Sequence, residues 1–416
     1  MHRKRCSIFI NMHFLWCAQP TKATMIEPVL INYMKEQILM VSLDFKRYMY
    51  ERIEWNLRLV GLVGPRGVGK STMVLQHIAE NEGKEKALYV SADHSYFTSH
   101  TLISLADEFV KDGGEHLYID EVHKYSGWSR ELKQIYDTHP GLKVMFTGSS
   151  ILDILAGEVD LSRRVVRYTM QGMSFREYLE MFHGIKTPVL SFEDIVQGKN
   201  IAIKGLAHPL PLFREYLEIG YYPFSKEGAF LTRLEQVISQ TTEYDIPRFS
   251  NMSFTTGRKL HLLLIILSQT VPFKPEYTSL ANAIKASRND IPDYLLLLEK
   301  AGMIGQLRDQ TGGIRGLGKV EKLYLDNTNI MVALVGAEAD RGTIRETFFY
   351  NQMRVTKDVI SSSKSDFTIG NYTFEVGGKK KKHHQIADIE NGIVVRDDIE
   401  FATNGIIPLW AFGLTY

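Results

Sequence analysis

LRLVGLVGPRGVGKST occupies residues 57–72 of the chain. It opens with the apolar run Leu57–Val63 and passes through Gly64-Pro65-Arg66-Gly67-Val68-Gly69. It ends in Lys70-Ser71-Thr72, where a helical pattern sets in. Strand, glycine-rich loop and helix in that order match G-x-x-x-x-G-K-[ST]. The glycines let the loop turn its backbone N–H groups inward at a helix N-terminus, which makes a nest for phosphate oxygens. In that setting Lys70 is expected to reach the β- and γ-phosphates of a nucleoside triphosphate, with the Ser71 hydroxyl ligating Mg²⁺.

The 416 residues exceed what one compact core organises, so two to four domains are expected. Hydrophobic content of 44% and charged content of 23% are ordinary for a globular protein. A net charge of +1 excludes a globally basic surface, and any nucleic-acid contact must be a local patch. The two cysteines, Cys6 and Cys17, lack metal-ligand spacing and leave the body of the chain without a thiol, which suits a reducing cytoplasm. His2–Arg5 followed by Ile8–Ala18 resembles the start of a signal peptide. However, Asn11, Met12 and His13 interrupt it and no small-x-small cleavage site follows. Residues 1–25 are therefore expected to be a disordered extension, with Met25 the natural start. No other segment approaches a membrane span.

A helical lead-in is predicted over Glu27–Glu51. After the loop, Val74, Leu75 and Ile78 mark one face of a helix starting at Lys70. The pattern then predicts a strand at Ala87–Ala92, a helix through Leu102, Leu105, Ala106, Phe109 and Val110, and a strand at His116–Asp120. A helix at Trp128–Thr138 and strands at Lys143–Thr147 and Val165–Met170 follow. Such alternation means a parallel sheet covered on both faces, with ligands at the carboxyl ends of its strands. At that edge Asp120 can hold Mg²⁺ through its water shell and Glu121 can orient an attacking water. Ser149, at the end of the fourth strand, is the expected contact to the γ-phosphate, with Thr147 the alternative. A plain helix N-cap by Ser149 or Ser150 is the competing reading. Arg163 and Arg164, just before the fifth strand, suit either a finger on a neighbouring subunit's γ-phosphate or a solvated basic pair.

Taken together, Gly64–Ser71, Ile119-Asp120-Glu121, the strand ending Thr147-Gly148-Ser149 and the two arginines resemble AAA-type ATPases. IDEVHKY at residues 119–125 and MSFREY at 173–178 resemble, more closely, a prokaryotic AAA-like family carrying a C-terminal domain of unknown function. The resemblance covers nearly everything after Glu27. It implies an α/β P-loop NTPase core at 26–172 that binds ATP and hydrolyses it with Mg²⁺, and it admits a homo-oligomer.

Residues 173–255 read as a helical lid opened by a Ser174/Glu177 capping box. Across 256–340 come the apolar run Leu260–Leu267, a Thr278-capped helix Ser279–Lys285 and an Asn289-capped helix Asp290–Ala301. A hairpin of Ile304–Arg308 and Lys322–Asp326 completes the order of a winged helix. Lys285, Arg288 and Asn289 would open its recognition helix, and Arg308, Arg315, Lys319 and Lys322 would decorate the wing. Asp290, Asp293 and Glu299 oppose DNA contact, so DNA binding and plain packing both stay open. Residues 341–416 read as a small α+β domain with a helix Arg345–Val355 and a hairpin turning at Gly370-Asn371. Glu346, Asp366 and Glu375 resemble the acidic set of restriction-endonuclease-like domains, but Gly377 stands where a lysine belongs. That pocket is either degenerate or served by Lys379. The run Lys379–Lys382 is a candidate phosphate contact to DNA or a solvated loop, and Ile406–Tyr416 is expected to be a final strand. The leading expectation is an ATPase coupling nucleotide state to these C-terminal modules. The alternatives are an ATP-switched DNA-binding protein with negligible turnover and an ATP-gated nuclease.

Overall fold

The computed structural model describes residues 26–81, 86–149, 161, 163–199, 201, 203–250, 252–310, 318–336, 339–378, 386, 388–403 and 405–416. The N-terminal extension, Ser150, Arg315 and the Lys379–Lys382 run therefore lie outside the described residues.

Five short segments form a wholly parallel sheet in the order β2-β3-β4-β1-β5. They are β1 (Leu59–Gly64), β2 (Ala87–Ser91), β3 (His116–Asp120), β4 (Lys143–Ser149) and β5 (Val166–Thr169). Every residue of β1 and β3 is buried, as expected of central strands covered on both faces. Alternation along β1 sends Val60 and Leu62 into one core and Leu59 and Val63 into the other. Helix α2 (Lys70–Glu80) lines the first core. Helices α3 (Leu102–Lys111) and α4 (Trp128–Thr138) line the second.

The lead-in differs from the expected single helix. Helix α1 (Pro28–Met40) stops eleven residues short of Glu51. The Ser42 hydroxyl donates to the Asp44 carboxylate at 2.9 Å and accepts from the Asp44 amide at 3.2 Å, a local turn that competes with helix continuation. Arg47, in the irregular stretch that results, is buried and pairs with the fully buried Glu177, Nε to Oε1 at 3.0 Å.

Glu177 lies in α5 (Phe175–His183), whose N-terminus carries the anticipated capping box with Ser174. The segment read as one lid feeds two cores. Helix α5 and helix α6 (Pro209–Ile219) pack with the C-terminal sheet through Phe175, Phe213 and Tyr216. Tyr221, Tyr222, α7 (Phe230–Ser239) and Phe249 instead join the core beneath the parallel sheet. That core continues into α8 (Phe254–Thr270), α9 (Tyr277–Ile284), α10 (Ile291–Lys300) and an antiparallel hairpin of β6 (Ile304–Arg308) and β7 (Val320–Leu325). Two caps differ from expectation. The Glu276 carboxylate, not Thr278, accepts the amides that open α9, because its longer side chain reaches both Thr278 N and Ser279 N. Ser287, not Asn289, caps the 3-10 turn leading into α10.

Helix α11 (Thr328–Val335) and helix α12 (Arg341–Met353) lead to the C-terminal sheet. Its strands are β8 (Ile360–Ser361), β9 (Phe367–Ile369), β10 (Tyr372–Gly377), β11 (Gly392–Arg396) and β12 (Ile406–Pro408), in the order β12-β11-β10-β9-β8. β9 and β10 make the antiparallel hairpin, while β10, β11 and β12 run parallel. Only the first three residues of the expected final strand pair. Leu409–Leu414 winds as 3-10 turns with all six residues buried, whereas an edge strand would present alternate side chains to different surroundings.

Replacing Arg47 by Ala leaves the Glu177 carboxylate buried without its cation. The expected cost is about 3–5 kcal/mol of stability, read as a lower urea midpoint at unchanged slope.

Candidate active site

The loop after β1 is shaped by what surrounds it. A Cβ on Gly64 would lie 2.2 Å from the Met170 carbonyl oxygen, so only glycine fits between β1 and the chain leaving β5. Gly67 and Gly69 adopt left-handed φ values of 79° and 95°, and Gly69 is the N-cap of α2. Val68 is fully buried and anchors the loop, and its carbonyl accepts from Arg47 Nη1. Lys70 Nζ turns back to donate to the carbonyls of Gly64 and Pro65, both at 2.8 Å. Burial pulls the Lys70 amine down to about 8, against the opposing charges of Asp120 and Glu121. Thr72 is exposed on the first turn of α2.

Asp120 ends β3 beside this loop. Its Oδ1 accepts from Ser71 Oγ at 2.8 Å and also from Thr147 Oγ1, and the Thr147 hydroxyl accepts the Glu121 amide at 3.0 Å. One buried threonine thus orients both acidic residues. Glu121 leaves the strand with φ of 49°, which turns its carboxylate off the ladder. Burial raises the Glu121 pKa, with Arg66 the leading opposing charge. Ser149 is buried and sits opposite Gly64 in the β1–β4 ladder. Tyr89 on β2 adjoins Asp120, and burial first and that charge second push its phenol up.

Arg163 and Arg164 lie elsewhere. Arg164 makes a bidentate pair with Asp137 at the end of α4, Nε at 2.9 Å and Nη2 at 3.1 Å. Arg58, which precedes β1, donates to Tyr136 O beside them. These are the amino ends of strands that run parallel. The glycine-rich loop is at the other end of β1, roughly 20 Å away at about 3.3 Å per residue. Arg164, held on Asp137, stands at the end of the sheet opposite the loop of its own chain.

The acidic residues of the C-terminal domain are differently placed. Lys322 Nζ, from β7, lies 3.2 Å from both Glu346 Oε2 and Asp366 Oδ1, and Tyr324 OH donates to Glu346 at 2.8 Å. Glu375, across the β9–β10 hairpin, accepts from Ser365 Oγ instead. The lysine among these acids thus comes from another module, not from the strand of Glu375. Among the described residues no group of three or more His, Cys, Asp or Glu is arranged to hold a metal ion, and no helix is long and apolar enough to cross a membrane.

Sequence patterns left several residues of this site unread. Arg47 and Asp245 lack any local signature. His123 sat within a recognised run but showed no role. Its ring is buried at 5.5 Å from the Phe249 ring, both nitrogens lack a hydrogen bond, and burial foremost lowers its pKa to about 3.

Residues 56–179 match the model of an AAA domain, and residues 210–341 match a domain of unknown function, DUF8612. An uncharacterized protein of Methanocaldococcus jannaschii is 26% identical over 401 residues, spanning 85% of this chain and 83% of that one. Among solved structures, AMPPCP-bound DnaA from Aquifex aeolicus is 14% identical, with 66% of this chain and 89% of that chain covered at a TM-score of 0.27. The S. cerevisiae Hsp104-ADP complex is 15% identical, covering 65% and 39% at a TM-score of 0.27. Likeness at those TM-scores is too slight to argue from. The five-stranded parallel sheet with its glycine loop, together with the domain match, fits a P-loop NTPase core of AAA type.

Thr147→Val removes the hydroxyl that serves both Asp120 and the Glu121 amide. Stability is expected to fall by about 1–3 kcal/mol in urea unfolding, with most of it recovered in Thr147→Ser.

Proposed function

We propose that the chain is a Mg²⁺-dependent ATPase that relays nucleotide state to the modules following residue 172. The carrying observation is the convergence of Lys70, Ser71, Asp120, Thr147 and Glu121 at the carboxyl edge of the sheet. Lys70 rests on two carbonyl oxygens that phosphate oxygens can replace, and the loop supplies N–H donors at the start of α2. Ser71 and Asp120 offer a hydroxyl and a carboxylate already within 2.8 Å, hard oxygen donors suited to Mg²⁺. When bound, the ion would neutralise charge on the phosphate oxygens. Glu121 would orient a water whose oxygen attacks the γ-phosphorus as the bond to the β–γ bridging oxygen breaks. Its raised pKa suits it to receive the proton the water gives up. Ser149, buried across from Gly64, remains the proposed contact to the γ-phosphate, with Thr147 positioning Asp120 and Glu121. Arg163 or Arg164 would act only on a site in another copy of the chain, which makes a homo-oligomer part of this reading.

Relay has a physical route. A Cβ on Gly67 would meet Phe224 at 2.5 Å, and one on Gly302 would meet Pro65 at 2.8 Å, so the loop touches both the lid and the helix–hairpin module. The order α8, α9, α10, β6, β7 follows a winged helix. Yet the exposed positions of α10 are Pro292, Asp293 and Leu296, which favours a packing role over DNA recognition.

Glu121→Gln is expected to retain ATP affinity and lose turnover by at least about 100-fold, measured as steady-state phosphate release. Unchanged turnover would remove Glu121 from the mechanism. A second expectation follows from Lys70. Burial lowers its pKa to about 8, so part of the population carries a neutral amine at pH 8, and phosphate oxygens raise that pKa. Nucleotide binding should therefore take up protons at pH 8, and that uptake should shrink by pH 7. Calorimetry in two buffers of different ionisation enthalpy reads the difference.

A further inference from the structure

Arg66, third residue of the phosphate loop, is engaged by a carboxylate from far along the chain. Its Nε lies 2.7 Å from Asp245 Oδ2 and its Nη2 donates to Oδ1 at 3.3 Å. The closer approach is off-line, so Nε and Oδ2 are both buried without a hydrogen bond. The pair is thus an ion pair with one aligned hydrogen bond, one fewer than the two parallel bonds of a well-formed arginine–carboxylate fork. Asp245 itself is 6% exposed and also accepts from Gln240 Nε2 at 3.2 Å.

The backbone under Asp245 is unusual. Gln240–Asp245 is a π-helical turn between α7 and the short helix Ile246–Phe249, a form found mostly where function has a use for it. It rests tightly on α8, where a Cβ on Gly257 would lie 2.6 Å from the Glu243 carbonyl oxygen. The same short helix receives His123, two residues beyond Glu121, against Phe249. Two residues at the phosphate edge, on separate loops, thus bear on one ten-residue element.

We propose that Asp245 is an internal stand-in for a terminal phosphate, holding Arg66 until a nucleoside triphosphate displaces it and frees the π turn; this rests on the nucleotide reading above. A terminal phosphate supplies the in-line oxygens that Asp245 lacks, with more charge. A diphosphate, one phosphate shorter, leaves the Arg66–Asp245 pair in place. Asp245 is a positioning residue, and its pair with Arg66 makes the site discriminate the two nucleotides.

The test measures binding of β,γ-methylene ATP and of ADP to the full chain by calorimetry. Asp245→Asn is expected to tighten the triphosphate analogue by about 5-fold or more and ADP by much less. In an Arg66→Gln background the same substitution should change neither. Hydrogen exchange on the unaltered protein is independent of variant folding. Amides of residues 240–246 should exchange faster with the triphosphate analogue than with ADP. Equal shifts for both nucleotides, a shift that survives Arg66→Gln, or exchange indifferent to the third phosphate would overturn the latch while leaving nucleotide binding intact. An unaltered chain that binds neither nucleotide would overturn both proposals.

Discussion

The buried pair of Arg47 and Glu177 ties together parts of the chain that are 130 residues apart. Arg47 also donates to the carbonyls of Val68 and Gln171, and Glu177 also accepts from the amides of Tyr48 and Ser174. One ion pair thereby holds the approach to β1, the phosphate loop, the exit from β5 and the first turn of α5. Ser174 extends the network, donating through Oγ to the Tyr416 carbonyl at 2.7 Å. Taking two charges out of water costs several kcal/mol each, and only full hydrogen bonding makes that tolerable. The return is geometric: the glycine-rich loop after β1 is fixed to the first turn of α5.

Around that clamp the site is an arrangement of competing partners. Asp120 takes two hydroxyls, Lys70 two carbonyls, and Arg66 the carboxylate of Asp245. The crown of the loop is walled by Phe224 on one side and by the turn at Gly302 on the other, both belonging to the core that continues through α8 to β7. Tight packing of that kind passes on small displacements instead of absorbing them.

Strands β1, β3 and β4 lie within two residues of where hydrophobic runs place them, because a central parallel strand must be apolar on both faces and therefore reads as a continuous run. The capping box at Ser174 and the turn at Gly370-Asn371 were equally plain, since their hydrogen bonds close within a few residues. The lead-in helix was overestimated because two short polar side chains, Ser42 and Asp44, bond to each other's segment and end it. The last strand was overestimated because apolar composition alone cannot tell an extended edge from a buried winding. Residues 173–255 carry one helical pattern, yet the two halves of that stretch bury their aromatic residues in different cores, a division no periodicity records.

Local pattern alone marks the glycine-rich loop after β1, the acidic pair at the end of β3 and the parallel order of alternating elements. All of these rest on interactions between near neighbours, or on the requirement that both faces of a central strand be apolar. The packed fold, in contrast, sets Thr147 against both Asp120 and the Glu121 amide, and Arg164 against Asp137 at the amino ends of the strands. It alone brought Lys322 between Glu346 and Asp366, and Asp245 onto Arg66. Charged side chains find their partners across the folded surface, where distances of a few ångströms join residues 20 to 180 positions apart, and nothing in the local pattern encodes which carboxylate a given cation will meet.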